Sequence, residues 1–197
     1  CIRDRPELKK LISKLVTAKN SRMEDSVIDY FIRYIGYEID ETVSLYTVNI
    51  AVKQLCYSAK EITEDDVRAL ITPSVQVQIW ELSNFLLDLD GPALYSHVTK
   101  LFDEKENGIG MLSLLLRSFR LTYKASLLKG RSDYEISKIL GVKPFQFKAA
   151  MKFTPQQISE ILTVLQQGVN SIKAGQPEKN TVIFTLNEAL LVLGGAA

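Results

Sequence analysis

Residues 153–174, FTPQQISEILTVLQQGVNSIKA, contain one of the two strongest helix-start signals in the chain. Thr154 and Gln157 have the spacing of a capping box, in which each side chain bonds the backbone N–H of the other residue. Pro155 stands at the first helical position, where its missing N–H is tolerated and its fixed φ suits the helix. The apolar residues that follow recur at helical spacing. The stretch therefore predicts an α-helix over 154–174.

Helical signals of the same kind recur along the rest of the chain. The 10 glycines and 6 prolines are scarce for 197 residues and fall between the apolar-periodic segments. No segment shows sustained period-two alternation bounded by turn residues, so an extensive sheet is not expected. The chain is therefore predicted to be all-α. The predicted helices start at Pro6 and continue at about 24–36, 40–59, 63–72, 76–90, 92–105, 109–129, 132–141, 144–152, 154–174 and 181–194.

The segment Thr72-Pro73-Ser74 is the best candidate for a domain boundary. Pro73 cannot continue a preceding helix, and it biases the residue before it away from helical geometry. A length of 197 residues is compatible with one or two domains. We therefore expect a small helical domain at 1–72 and a helical bundle at 73–197.

Composition excludes several classes of protein. Hydrophobic residues make up 46% and charged residues 24% of the chain, so it is not disordered throughout. Two cysteines are too few for a disulfide framework, so an intracellular, reduced, cytoplasmic protein is expected. The most apolar stretch, 109–128, is interrupted by three basic residues and is therefore not a membrane span. The chain opens on Cys1 with neither an initiator Met nor a leader, which suggests a fragment of a longer protein.

Motifs for catalysis and cofactor binding are missing from the sequence. There is no Walker A loop and no dinucleotide-binding G-x-G-x-x-G after a strand. The nearest glycine pair, Gly108 and Gly110, is explained by a turn and a helix start. Cys56 is expected in the core, and the single His97 has no second histidine or cysteine beside it to complete a metal site. We expect no catalytic residues, no cofactor and no metal.

Charge is distributed unevenly along the chain. The 24 basic and 23 acidic residues give a net charge of +1, which argues against a polybasic binder. Residues 1–112 nevertheless carry −5, residues 113–152 carry +7, and residues 153–197 carry −1. The basic segment is suited to phosphates or to an acidic partner, whereas helix surfaces need charged residues in any case. Both interpretations stay open.

Five basic residues of the segment 113–152 are the candidate binding residues for DNA or for a partner protein. Arg117, Arg120 and Lys124 recur at i, i+3 and i+7, so a helix places them on one face. Lys143 and Lys148 follow in the next part of the segment. Arginine and lysine are the usual ligands of a phosphate backbone, which is why these residues point to DNA.

Part of the basic segment, 132–144, has the pattern of the first half of a helix-turn-helix. An apolar helix is followed by Gly141 at the turn and by an apolar residue after it. A DNA reader would next present polar side chains at the start of a second helix. Here Phe145 and Phe147 stand in that first turn, which favours packing into the bundle. A helix-turn-helix DNA-binding regulator that uses residues 132–152 is the alternative function.

Four short motifs occur in order along most of the chain. They are Ile62-Thr63-Glu64-Asp65-Asp66-Val67, Ser118-Phe119-Arg120-Leu121, Leu140-Gly141-Val142-Lys143-Pro144-Phe145 and Ile172-Lys173-Ala174-Gly175. Taken in this order, the chain resembles the delta-subunit family of bacterial DNA polymerase III, which belongs to the sliding-clamp loader. The sequence departs from the family pattern at Asn49 and Ala51, where acidic residues are common.

The resemblance implies a protein similar to AAA+ ATPases that does not bind ATP productively and that opens the clamp with an N-terminal domain. This chain shows no counterpart of that domain, so it is not expected to open the clamp by itself. Residues 1–72 would form the small helical lid (AAA+ domain II-like), and 73–197 the helical collar that joins the loader subunits. The implied partners are the other clamp-loader subunits, primer-template DNA, and the sliding clamp through the N-terminal domain. The implied role is that of a non-catalytic subunit of the DNA-directed DNA polymerase holoenzyme, without a cofactor or a membrane.

Overall fold

The structure, a computed structural model, describes residues 5–40, 42–104 and 106–195. Helices dominate this part of the chain and confirm the all-α prediction. They are α1 (Arg5–Thr17), α2 (Asp25–Ile35), α3 (Leu45–Ser58), α4 (Glu64–Leu70), α5 (Val75–Leu87), α6 (Gly91–Asp103), α7 (Gly108–Ser126), α8 (Asp133–Leu140), α9 (Pro155–Lys173) and α10 (Glu178–Gly194).

The chain forms two compact units. The first extends to Gln78 and the second starts at Ile79, so the chain passes from one unit to the other within α5. The boundary predicted at 72/73 lies shortly before α5. The identity of the two units as a lid and a collar stays a prediction.

The first unit buries one hydrophobic core between α1, α2, α3 and α4. Each helix contributes an apolar stripe at helical spacing, as expected of a helix that packs on one side. Its most deeply buried members include Leu8, Ile12, Phe31, Ile32, Val48, Leu55 and Val67. Two parallel strands, β1 (Arg22–Met23) and β2 (Glu61–Ile62), pair in the loops that precede α2 and α4. Strands of two residues give no alternation signal, so the sequence did not indicate them.

Helix α3 begins later than the sequence predicts. The expected helix covered 40–59, whereas α3 runs from Leu45 to Ser58. The carboxylate of Asp40 is buried and accepts hydrogen bonds from the N–H (2.9 Å) and the hydroxyl (2.6 Å) of Thr42. This local turn competes with helix formation. The helix then begins after Ser44, whose hydroxyl accepts a hydrogen bond from a backbone N–H of the first turn.

The second unit is built on α7, α9 and α10. Helix α9 packs along both of the others, and α6 lies against α10. The buried side chains of these helices include Leu112, Leu115, Phe119, Ile158, Ile161, Leu165, Val182, Leu186 and Ala189. Helices α9 and α10 come very close where Gly168 faces Thr185, so close that a Cβ on this glycine would overlap the threonine side chain. The missing side chain at Gly168 thus sets the separation of the two helices.

A separate small core holds the segment between α7 and α9. Its buried members are Ala125, Ile136 and Phe147. The prediction of an α-helix over 144–152 is wrong, since the segment forms two short 3-10 helices, Pro144–Gln146 and Lys148–Lys152. Between them, Phe147 has φ −130° and ψ −20°, and its side chain is only 1% exposed. The geometry that places this ring in the small core interrupts the helix.

Candidate interaction surfaces

The basic face of α7, formed by Arg117, Arg120 and Lys124, lies exposed on the second unit. The opposite side of the same helix is buried in the core through residues such as Leu115 and Phe119. None of the three cations forms an ion pair with a carboxylate in the part of the chain that the structure describes. The three residues lie on one face of α7, as their spacing predicts, and their charges face solvent.

Arg120 also lines a shallow groove between α7 and α9. Apolar side chains from the two helices, Leu116 and Leu162, line part of it. The remaining lining residues, all polar and on α9, are Ser159, Thr163, Gln166 and Gln167. Hydroxyl and amide groups beside a guanidinium can hydrogen-bond an anionic backbone, so the groove extends the polar character of the basic face of α7.

Lys143 and Lys148 lie in the segment between α8 and α9, which contributes Phe147 to the small core. Lys148 pairs with Asp133, whose carboxylate oxygen is 3.3 Å from the lysine Nζ. Lys143 is exposed, and its backbone N–H donates to the side-chain oxygen of Gln146 at 2.9 Å. The five candidate residues therefore belong to two elements of the second unit, α7 and the segment between α8 and α9. Their role in binding stays a prediction.

The helix-turn-helix alternative lacks its second α-helix in this structure. Helix α8 ends at Gly141, which takes the left-handed conformation (φ 68°) that the turn requires. Beyond it, the chain forms 3-10 turns anchored by the buried Phe147 ring. A recognition helix should instead present polar side chains outward for the major groove. The geometry of 144–152 does not provide that helix.

Helix α10 exposes two large apolar side chains that the sequence did not indicate. Phe184 is 70% exposed and Leu191 is 74% exposed, although both lie on a helix whose other side is buried in the core. The two residues are seven positions apart and therefore share one face. Glu188 is the single charged residue between Asn180 and Gly194, and this scarcity of charge could have indicated apolar residues on the outward face as well.

No group of three or more histidine, cysteine, aspartate or glutamate side chains lies close enough to hold a metal ion in residues 5–40, 42–104 and 106–195. Within the same ranges, no helix is both long and apolar enough to cross a membrane. The exposed features described above are the basic face of α7 and the apolar side chains Phe184 and Leu191 on α10.

Comparison with known proteins gives concordant matches. The family model described as "DNA polymerase III delta subunit, C-terminal domain" matches residues 76–187. The DNA polymerase III subunit delta of Bacillus subtilis (strain 168) is 26% identical over 141 residues, a match that covers 67% of this chain and 41% of that protein. The solved structure of the B. subtilis DNA clamp loader delta protein (YqeN) superimposes with a TM-score of 0.74 at 21% identity, and the match covers 94% of this chain and 56% of that one.

Each match covers only part of the relative, so this chain spans about half the length of the proteins that it resembles. The similarity to the solved structure supports the two-unit helical fold. The family model covers more than half of the present chain and includes α6 to α9 and most of α10. The chain therefore belongs to the DNA polymerase III delta subunit family, to which its four motifs had assigned it.

Proposed function

We propose that the chain acts in DNA replication as part of a clamp-loader delta subunit and joins other loader subunits through its C-terminal helical unit. The family match over residues 76–187 supports this role, because it falls on the second unit almost entirely. The printed names of the two B. subtilis relatives are a DNA polymerase III subunit and a clamp loader protein. The proposed role is structural and cytoplasmic, with no catalytic step performed by this chain.

The outward face of α10 is the observation that carries the proposal. The outward face of α10 also carries Asn187 and Glu188, as expected of a surface helix, so it is a mixed face in which large apolar side chains stand among polar ones. Phe184 and Leu191 are exposed on this helix and stand two turns apart, about 10 Å along the axis. A neighbouring subunit would remove both side chains from water, and aromatic and aliphatic anchors of this kind supply much of the binding free energy of protein interfaces.

Size-exclusion chromatography of the chain mixed with the other loader subunits tests the proposal. We expect co-elution with at least one subunit, and we expect Phe184→Glu combined with Leu191→Glu to abolish it, because a charge would be buried without a partner. Tyr57→Glu is the matched control, since this residue is 96% exposed but lies on α3 in the first unit. Absence of co-elution for the unaltered chain would refute assembly through the second unit.

The basic face of α7 supports a second part of the proposal, contact with the DNA on which the loader acts. Three exposed cations without carboxylate partners in the described chain can neutralise phosphates and release counterions. Changing Arg117, Arg120 and Lys124 to Glu should weaken the loader–DNA complex and flatten its salt dependence. Reversal of the same number of exposed cations on and just after α1, namely Lys10, Lys14 and Lys19, is the control. Equal DNA binding by both triple variants would reject the contact.

A further inference from the structure

The outward side of α3 carries large apolar side chains, although a surface helix normally has a polar face there. Tyr46 is 73%, Ile50 is 47% and Tyr57 is 96% exposed. Lys53, also exposed, stands among them and is the single charged residue of this helix. The period of the helix puts all four residues on one side, opposite the side that is buried in the core of the first unit. We call them the α3 stripe.

The α3 stripe has the spacing of a coiled-coil seam. Its successive members, from Tyr46 to Tyr57, are separated by four, three and four positions, as alternating d and a residues of a heptad are. With a rise of 1.5 Å per residue the stripe is about 16 Å long. Side chains at such positions insert between those of a facing helix. The element that fits the stripe is therefore another α-helix.

The spacing of the stripe reads the same in both directions along α3, so a second copy of the helix matches it when the two run antiparallel. In that register Tyr46 faces Tyr57 of the second copy, and Ile50 faces Lys53 of the second copy. The lysine stem can cover the isoleucine while its ammonium group reaches water. Parallel pairing would instead place the two Lys53 side chains in the same layer, where like charges repel.

Charge and area are also compatible with a second copy. The exposed residues that flank the stripe, Thr47, Gln54 and Ser58, are neutral, and α3 contains no acidic residue. Tyrosines bury about 150–250 Å² each when covered, so the four tyrosines and two isoleucines of a pair would bury on the order of 1,000 Å². Interfaces smaller than about 1,200 Å² are typical of weak, transient complexes.

We propose that two copies of the chain pair antiparallel through the α3 stripe and form a weak, reversible dimer. The same surface then serves both copies, as in other twofold-symmetric dimers. The stripe belongs to the first unit and lies outside the residues that the family model matches. It includes neither Phe184 nor Leu191, so this pairing is separate from the proposed assembly with loader subunits.

Sedimentation velocity at increasing concentrations of the chain tests the dimer. We expect the mean mass to rise from that of one chain toward that of two, with a Kd in the micromolar range or weaker. Tyr57→Glu should raise this Kd at least about tenfold, because an aromatic anchor is replaced by a charge without a partner. Tyr134→Glu is the matched control and should leave the Kd unchanged, since Tyr134 is 74% exposed but lies on α8 in the second unit.

Disulfide trapping tests the antiparallel register. In chains that also carry Cys1→Ser and Cys56→Ser, a mixture of the Tyr46→Cys and Tyr57→Cys variants should cross-link, because the two positions face each other. Neither variant should cross-link with itself, since its two cysteines would lie about 16 Å apart along the helix axis. A disulfide requires Cα atoms within about 7 Å of each other.

Three results would overturn the proposal. The first is a chain that stays monomeric up to its solubility limit. The second is an unchanged Kd for Tyr57→Glu, with thermal melts showing that the variant is folded. The third is cross-linking of Tyr46→Cys with itself as readily as with Tyr57→Cys. Phe184→Glu combined with Leu191→Glu should leave the dimer intact, and Tyr57→Glu should leave co-elution with loader subunits intact, so the two proposals can fail independently.

Discussion

Replacement of Gly168 by alanine would place a methyl group where α9 crosses α10. The new Cβ would overlap the side-chain oxygen of Thr185 and would stand 2.8 Å from its methyl carbon and 3.0 Å from Cδ1 of Leu112. Thr185 is 3% exposed, so the overlap has no free space into which to relax. Overpacking of this kind costs about 1–3 kcal/mol, whereas alanine gains about 1 kcal/mol over glycine in a helix. The overlaps involve two neighbouring helices, so we expect a cost near the upper end of this range and a net loss of up to about 2 kcal/mol in the free energy of unfolding.

Urea denaturation followed by circular dichroism measures this loss. Gly194→Ala is the control, since no atom lies within 4 Å of its Cβ position and it should be neutral or slightly stabilising. Combining Gly168→Ala with Thr185→Ala removes the overlapping atoms, so the double variant should lose less stability than the sum of the two single variants. A Gly168→Ala variant as stable as the unaltered chain, or strict additivity with Thr185→Ala, would refute the close-approach argument.

Three further predictions concern other contacts. The carboxylate of Glu178 accepts a hydrogen bond from the N–H of Gly108 (2.7 Å) at the N-terminus of α7, so Glu178→Gln should cost about 0.5–1 kcal/mol in urea denaturation, with a smaller loss at high salt. A hydrogen bond from Lys9 is the main reason why the pKa of Asp29 lies below its ordinary value of 3.8. The ionised Asp29 carboxylate therefore stabilises the fold above pH 3.8, and this stabilisation is lost as the pH falls through the lower pKa of the folded state. Asp29→Asn should therefore cost up to about 1 kcal/mol at neutral pH and nothing in strong acid, and an equal cost at both pH values would contradict the assignment. Phe147→Ala should abolish hydrogen-exchange protection of α8 while α9 stays protected, since the ring belongs to the small core alone; simultaneous loss of protection in both helices would count against a separate core.

Features specified by a few adjacent residues could be predicted from the sequence. The capping box of Thr154 and Gln157 forms at the start of α9, where Gln157 Oε1 accepts from the N–H of Thr154 at 2.9 Å. That of Ser132 and Glu135 forms at the start of α8. The common exposed face of the three α7 cations could also be predicted, because the period of the helix alone determines which residues share a face.

Features that depend on distant contacts could not be predicted in this way. The break in the helix at Phe147 results from burial against residues that precede it by many positions, such as Ile136 and Ala125. The pairing of Lys148 with Asp133 joins different elements of the small core. The exposure of Phe184 was also invisible, since one sequence does not distinguish an apolar residue of the core from one at an interface.

The position of α10 in the chain has a consequence for the order of events during synthesis. The core of the first unit ends at Ile71, so every residue that it needs has been made before α5 is complete. The second unit needs α10 for its core and needs Glu178 to complete the start of α7, 70 positions earlier. Until α10 leaves the ribosome, α7 and α9 therefore have an uncovered apolar side. We expect the first unit to fold before the second, which closes only after α10 has been made.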